Sequence, residues 1–179
     1  MTDVTRIEPA SIEDAAAIAE IYDHYVVSGT ATFEREAPGA EQMAERIGNV
    51  LAKGFPWLVA RSADGQVLGY AHASRFGSRE GYRHSCETSI YVSADALGKG
   101  IGTALLGELV AQCEAIGLRQ AFAVIAGTEP ASVVLHARHG YRPCGTLENA
   151  GRKHGQWIDV LYMQRALGEG ASTPPPDEA

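Results

Sequence analysis

The chain has only three cysteines, Cys86, Cys113 and Cys144, and no C-x-x-C pair. An odd count without that spacing argues against a disulfide framework and against a zinc or other metal site, and it points to a reducing cytoplasm. No apolar run approaches the roughly 18 residues of a membrane span, and charges flank the short apolar stretch within Met1 to Pro9, so neither a span nor a signal peptide is expected. Cationic excess is missing as well: 15 Lys and Arg stand against 22 Asp and Glu, a formal charge of −7. That balance argues against nucleic acid and anionic membrane as principal partners. There is no internal repeat. Two common phosphate signatures also fail, since Lys99 is followed by Gly100 and Ile101 rather than by the Ser or Thr of a Walker loop, and no N-terminal βαβ unit carries a dinucleotide fingerprint. What is left is 179 residues, 45% of them hydrophobic, enough for one soluble domain with a single core.

Periodicity gives an α/β layout with a mixed sheet. Val4 to Glu8 is a first strand, and Ser11-Ile12-Glu13-Asp14 opens a helix with a cap and an acidic first turn. Ile12, Ala15, Ile18, Ala19, Tyr22 and Val26 form its apolar face, and it ends near Ser28-Gly29. Thr30 to Glu34 is a loop or extended segment, and a second helix runs from about Ala40 to Lys53. Trp57 to Arg61 and Val67 to Ser74 are strands joined through Asp64-Gly65, a strong hairpin signal. After a polar loop, Arg75 to His84, come a strand ending at Val92, a glycine-led helix, a strand from Arg119 to Ile125, a short helix from Ser132 to His139, and strands Arg142 to Leu147 and Trp157 to Gln164. The domain spans 1–167, and the tail Gly168 to Ala179, with Pro174-Pro175-Pro176, is expected to be disordered.

The chemistry concentrates between Glu87 and Ala111. Thr88-Ser89-Ile90-Tyr91-Val92 is a strand that runs into a turn, and Gly98, Gly100 and Gly102 then lead a helix. Such a junction exposes amides at the positive end of a helix, where a phosphate or pyrophosphate can be held. Glycine spacing alone is weak evidence, because helices often start at glycines for packing.

The segment Leu97-Gly98-Lys99-Gly100-Ile101-Gly102 resembles the acyl-CoA signature of the GNAT superfamily of N-acetyltransferases, Gln/Arg-x-x-Gly-x-Gly/Ala, with Leu97 departing from its first place. Further stretches resemble the phosphinothricin and methionine sulfoximine/sulfone acetyltransferases: Ile21 to Tyr25, Thr30 to Phe33, Pro56 to Ala60, Glu87 to Val92, Leu135-His136 with Gly140-Tyr141, and above all Gly151 to Val160 with its Lys153-His154-Gly155-Gln156-Trp157-Ile158-Asp159 block. The resemblance implies a GNAT fold, acetyl-CoA as donor, the α-amine of a small amino acid or analogue as acceptor, and a homodimer. On the cofactor side it implies Ile90, Tyr91 and Val92 at the strand end, Gly98, Lys99, Gly100, Ile101, Gly102 and Thr103 at the pyrophosphate, and Glu129 and Ser132, with Glu129 replacing the usual asparagine.

An α-amino group with a pKa near 8 is about nine-tenths protonated at pH 7, so acyl transfer requires a base. Glu87 matches the family's acidic residue; it could take the proton through water, hold the ammonium, or be a salt-bridged strand-end glutamate. His136 stands where many relatives carry a general-acid tyrosine, and the alternative there is a half-buried helix histidine with one hydrogen bond. Amides around Ile90 to Val92 would face the developing oxyanion. Acceptor residues are expected at Phe33, Phe76, Arg79, Glu87, Thr88 and Ser89, with Gly77 in a place where close relatives carry a cation. Two other readings remain open: a catalytically weak acetyl-CoA-binding module, favoured by the departures at Leu97, Gly77 and Glu129, and an acetyltransferase for another amine.

Overall fold

The computed structural model describes residues 4–127 and 129–178. Its strands are β1 (Val4–Pro9), β2 (Trp57–Ser62), β3 (Val67–Arg75), β4 (Ser85–Val92), β5 (Gln120–Ala126), β6 (Arg142–Lys153) and β7 (Gln156–Ala166); its helices are α1 (Ala15–Ser28), α2 (Ala40–Ala52), α3 (Ile101–Ala115) and α4 (Pro130–Arg138). The seven strands form one sheet in the order β1-β2-β3-β4-β5-β7-β6, antiparallel throughout except for the parallel pair β4–β5. The order of elements along the chain and the mixed α/β sheet are those expected from periodicity.

Alternation along the strands divides the core in two. Leu58, Ala60, Ala71, Cys86 and Ala121 pack under α3 with Leu105, Leu106 and Leu109. Trp57, Val59 and Tyr70 point the other way and meet Ile18, Tyr22 and Val26 of α1 and Met43 and Ile47 of α2. Ser11 caps the turn before α1: its Oγ accepts from the Glu13 amide at 3.2 Å while Asp14 accepts from the Ser11 amide at 2.9 Å. Arg61 of β2 pairs with both Glu8 and Asp14, which fixes that turn to the sheet.

One strand differs from the sequence reading. β6 continues past Leu147, through a register shift and a left-handed Asn149, to Lys153, and turns into β7 at His154-Gly155, where both residues have positive φ. Residues of the tail Gly168–Glu178 contact the domain. Asp177 and Glu178 supply acidic partners to the half-exposed Arg83, and Thr173 and Pro174 accept from Arg119 at 3.3 and 3.0 Å. No helix among the described residues is long and apolar enough to cross a membrane.

Candidate active site

On β4, Glu87, Ser89 and Tyr91 share one side of the sheet while Cys86, Thr88, Ile90 and Val92 share the other, as a two-residue period requires. Pairing with β3 runs unbroken from Cys86 to Val92. Pairing with β5 stops at Glu87↔Phe122. Beyond that point the strands part, and alternate backbone groups of residues 88–92 face a gap instead of a neighbouring strand. The gap is the inner wall of a cleft of about 770 Å³ between β4, β5 and the first turns of α3 and α4. Tyr25, which the sequence reading left without a role, helps to line it and donates to the Val92 carbonyl at 2.6 Å.

At the mouth, Gly98 and Gly100 have φ of 73° and 80°. A Cβ on either would meet nothing within 4 Å, so the left-handed backbone rather than crowding calls for glycine. Gly100 is the N-cap of α3, and no side chain caps that helix. Its first amides are therefore free to bind an anion. Gly102 acts differently: a Cβ there would lie 3.2 Å from Leu135, so its absence lets α4 approach α3. A long gap with apolar walls ending in uncapped amides fits acetyl-CoA. Ile90, Tyr91, Val92, Gly98, Gly100, Ile101, Gly102, Thr103, Glu129 and Ser132 all line the cleft; Lys99 does not, its amine being bound to the Asp95 carbonyl at 2.6 Å.

Glu87 is half-buried and has no hydrogen bond or ion pair among the described residues, which removes the salt-bridged alternative. Burial raises its pKa, and a raised pKa makes the ionised form a better proton acceptor. Around it on the same face are Ser74 directly opposite, Ser89, and His72 opposite Ser89. Phe122, its partner on β5, carries the Phe76 ring stacked at 4.1 Å, so Phe76 borders this site.

Thr88 does not. Expected beside the acceptor, it faces the opposite side, 4% exposed, and its hydroxyl donates to the Phe122 carbonyl at 3.2 Å and lies 3.1 Å from the Tyr141 hydroxyl. The network pins β4 to β5 at the place where they separate. Neighbouring His136 is also buried, edge-on to Tyr141 at 5.0 Å. Its Nδ1 lies 2.8 Å from the Ser132 carbonyl and 3.3 Å from the Ser132 hydroxyl. A carbonyl only accepts, so Nδ1 carries the proton and Nε2, buried and unpartnered, is a bare lone pair in the neutral ring. Burial lowers the His136 pKa and favours that neutral form. In that neutral state the ring presents an acceptor at Nε2.

In the loop before β4, Arg75 is bound to Glu80 at 2.8 Å and to the Arg79 carbonyl at 3.1 Å, and Arg83 is bound to the acidic tail. Arg79 is exposed and has no side-chain partner among the described residues. Gly77 has φ of 73°, and a Cβ there would lie 2.8 Å from the Tyr82 ring. Glycine is thus a requirement of the turn and not simply a missing cation. Across the site, Phe33 lies on the backbone of Gly151, where a Cβ would come within 2.1 Å of its ring. Beside it, Lys153, 3% exposed, donates to the Thr32 carbonyl at 2.8 Å and the Tyr25 carbonyl at 3.2 Å. The β6–β7 hairpin therefore holds the loop that carries Phe33.

Comparison with known proteins matches residues 7–162 to the acetyltransferase (GNAT) domain. The chain is 43% identical to a phosphinothricin N-acetyltransferase of Alcaligenes faecalis over 91% of its own length and 83% of the relative's. It is 34% identical to the L-methionine sulfoximine/L-methionine sulfone acetyltransferase of Pseudomonas aeruginosa, over 94% of this chain and 98% of that one. A phosphinothricin acetyltransferase from Sinorhizobium meliloti, solved with acetyl-CoA, superposes with a TM-score of 0.94 at 44% identity, covering 97% of this chain and 94% of that one.

Proposed function

The chain belongs to the GNAT family of acetyltransferases and is an N-acetyltransferase that uses acetyl-CoA, and from that premise we propose that its acceptor is the α-amine of a small amino acid or analogue of the methionine sulfone, methionine sulfoximine or phosphinothricin type. What supports this most is the parting of β4 from β5 immediately after Glu87, which puts a half-buried, unpaired carboxylate one residue from the start of the cleft's β4 wall. Acetyl-CoA supplies the activated acetyl group. The amides from Gly98 to Thr103 hold its pyrophosphate, and Ser132 and the free edge of β4 border the chain behind the thioester. Glu87 holds the acceptor's ammonium and takes its proton, directly or through a water. Amides of residues 90–92 face the carbonyl oxygen where negative charge develops. Nε2 of His136 accepts a hydrogen bond within the same cleft, and as the amide forms and the C–S bond breaks the departing thiolate takes its proton from water.

Arg79 is the loop arginine left for an acceptor carboxylate, since Arg75 and Arg83 are engaged by acidic residues. With one cation for one carboxylate, neutral methionine-derived acceptors should be acetylated at least as well as the anionic phosphinothricin. We place the transferase in residues 1–167, in the cytoplasm, and as a homodimer: Leu147 and Trp157 stand 51% and 63% exposed on the β6–β7 hairpin. Light scattering tests the dimer. The reaction is tested by thiol release from acetyl-CoA with methionine sulfone, methionine sulfoximine, phosphinothricin and the proteinogenic amino acids, comparing kcat/KM for the parent and Glu87→Gln. The variant should lose about two orders of magnitude or more. The parent's kcat/KM should also fall as pH drops through the raised Glu87 pKa, because only the ionised carboxylate accepts a proton. No turnover with any acceptor, or full activity in the variant, overturns the reading.

A further inference from the structure

β6 and β7 do not keep one register along their length. Leu147 faces Val160 and Gly151 faces Ile158, so residues 148–150 stand against Asp159 alone. The excess makes a bulge. Asn149, in the middle of it, has φ of 52°, and its amide donates to the Asp159 carboxylate at 2.8 Å. The Asp159 carbonyl accepts from the Gly127 amide at 2.8 Å, which ties the same residue to the turn that follows β5. Asp159 thus fixes the bulge. The bulge in turn decides which residue β6 presents beyond it, since a slip of one would exchange Gly151 for Ala150 or Arg152 and turn the pleat over.

Gly151 is the seat of Phe33. A Cβ on it would lie 2.1 Å from the ring, and since Gly151 is not among the glycines with positive φ, the ring is what opposes a side chain there. The backbone on either side of Phe33 is held. The Thr32 carbonyl accepts from Lys153 at 2.8 Å, and the Thr32 hydroxyl lies 2.7 Å from that of Tyr22. Glu34 accepts from Tyr22 at 3.0 Å and from both terminal nitrogens of Arg46, at 2.8 and 3.0 Å. The Tyr22 ring meets Tyr91 of β4 edge-on at 5.0 Å, so the loop lies over the face of the sheet that carries Glu87. With its backbone pinned and its ring on β6, Phe33 is still 40% exposed. The exposed side is an apolar wall open to an acceptor's side chain.

We propose that Gly151 determines which acceptors fit: lacking a side chain, it lets the Phe33 ring rest on β6, and the room left in front of that ring sets the length of acceptor side chain that can be held. Asp159 is the positioning residue that keeps Gly151 beneath the ring. The inference rests on the acceptor being a small amino acid bound at Glu87 and Phe33, and it deepens that reading by assigning its length selectivity. Gly151→Ala would drive the ring off β6, towards its exposed side, by roughly 1.4 Å, the difference between 2.1 Å and an ordinary carbon–carbon contact of about 3.5 Å. That displacement is comparable to one methylene of an acceptor.

Two sulfones that differ by one methylene, methionine sulfone and S-methylcysteine sulfone, report the length directly. Both are assayed for kcat and KM with the parent, Gly151→Ala, Phe33→Ala, the double variant of these two, Asp159→Ala and Asp159→Asn, while calorimetry follows acetyl-CoA affinity. The parent should prefer methionine sulfone. Gly151→Ala should cut the ratio of kcat/KM, longer over shorter, by about tenfold, within the range that one methylene in an apolar pocket is worth, through the KM of the longer acceptor. Acetyl-CoA should bind as before. In the Phe33→Ala background, Gly151→Ala should change nothing further. Asp159→Ala should lower the ratio too, whereas Asp159→Asn, whose amide oxygen can still accept from Asn149, should keep it. An unchanged ratio in Gly151→Ala, an equal drop with the ring already removed, or the same loss in Asp159→Asn as in Asp159→Ala overturns the proposal. If the parent acetylates neither sulfone, it is the acceptor reading that fails, and the proposal with it.

Discussion

Lowering the pH from 7 to 5 should cost the folded protein about 2 kcal/mol through His72 alone. Its ring lies 4.2 Å from that of Trp57, stacked at 18°, and its Nδ1 is buried with no side-chain partner among the described residues. Burial brings its pKa from 6.5 to about 4. At about 1.36 kcal/mol per pKa unit, full protonation is disfavoured in the fold by roughly 3.4 kcal/mol. Because the folded pKa is the lower one, the unfolded chain takes up the proton first. The stabilisation is fully present above the unfolded value near 6.5 and is lost as pH falls towards 4, with about 2 kcal/mol gone by pH 5. His72→Phe keeps a flat ring against Trp57 and cannot titrate. Urea unfolding of both proteins at pH 7 and pH 5 isolates the effect, because every other titrating group cancels in the difference. The parent should lose about 2 kcal/mol more than the variant. Parallel losses, within about 0.5 kcal/mol, would mean that the ring is hydrated and that the polar floor beside Ser89 and Glu87 is wetter than its packing implies.

Gly100→Asn keeps a residue type that tolerates left-handed backbone, while Gly100→Asp adds a like charge beside the pyrophosphate. Asn should stay within about fivefold of the parent in acetyl-CoA affinity and Asp should fall well beyond tenfold; equal losses by calorimetry would deny the phosphate cradle. Lys153→Met should destabilise the fold by about 2 to 4 kcal/mol in urea, because a buried ammonium and its bonds to two half-buried carbonyls are lost. It should also raise the acceptor KM by loosening the Phe33 loop, whereas an unchanged KM would separate that hairpin from the acceptor site.

Much of this architecture could be read from periodicity, because each strand and helix buries one face and the turns carry glycine or a cap. The glycine motif was equally legible, since the left-handed φ at Gly98 and Gly100 is a local property. Residues whose role depends on a distant partner were not. Lys153 lies in the most recognisable block of the chain, yet its purpose is set by carbonyls 121 and 128 residues away. The state of His136 follows from the position of one carbonyl, that of Ser132, and no spacing encodes a tautomer. Gly77 reads as an absent cation until its turn is seen packed under Tyr82.

Thr88 is more instructive, because the information was present. A strand cannot place Glu87 and Thr88 on one face, so the period of two already separated the proton-accepting face from the cofactor face. The same period explains how one strand serves two ligands. Its odd-numbered residues, Glu87, Ser89 and Tyr91, meet the acceptor side under α1, while its even-numbered side chains anchor the core beneath α3 and, through Thr88, hold β5 at the last paired residue. The gap depends on that last tie, since β5 must leave β4 after Glu87 and not before it. Loosening Thr88 would move the point of separation along the strand, and with it the edge of the cleft that Thr88 itself helps to line.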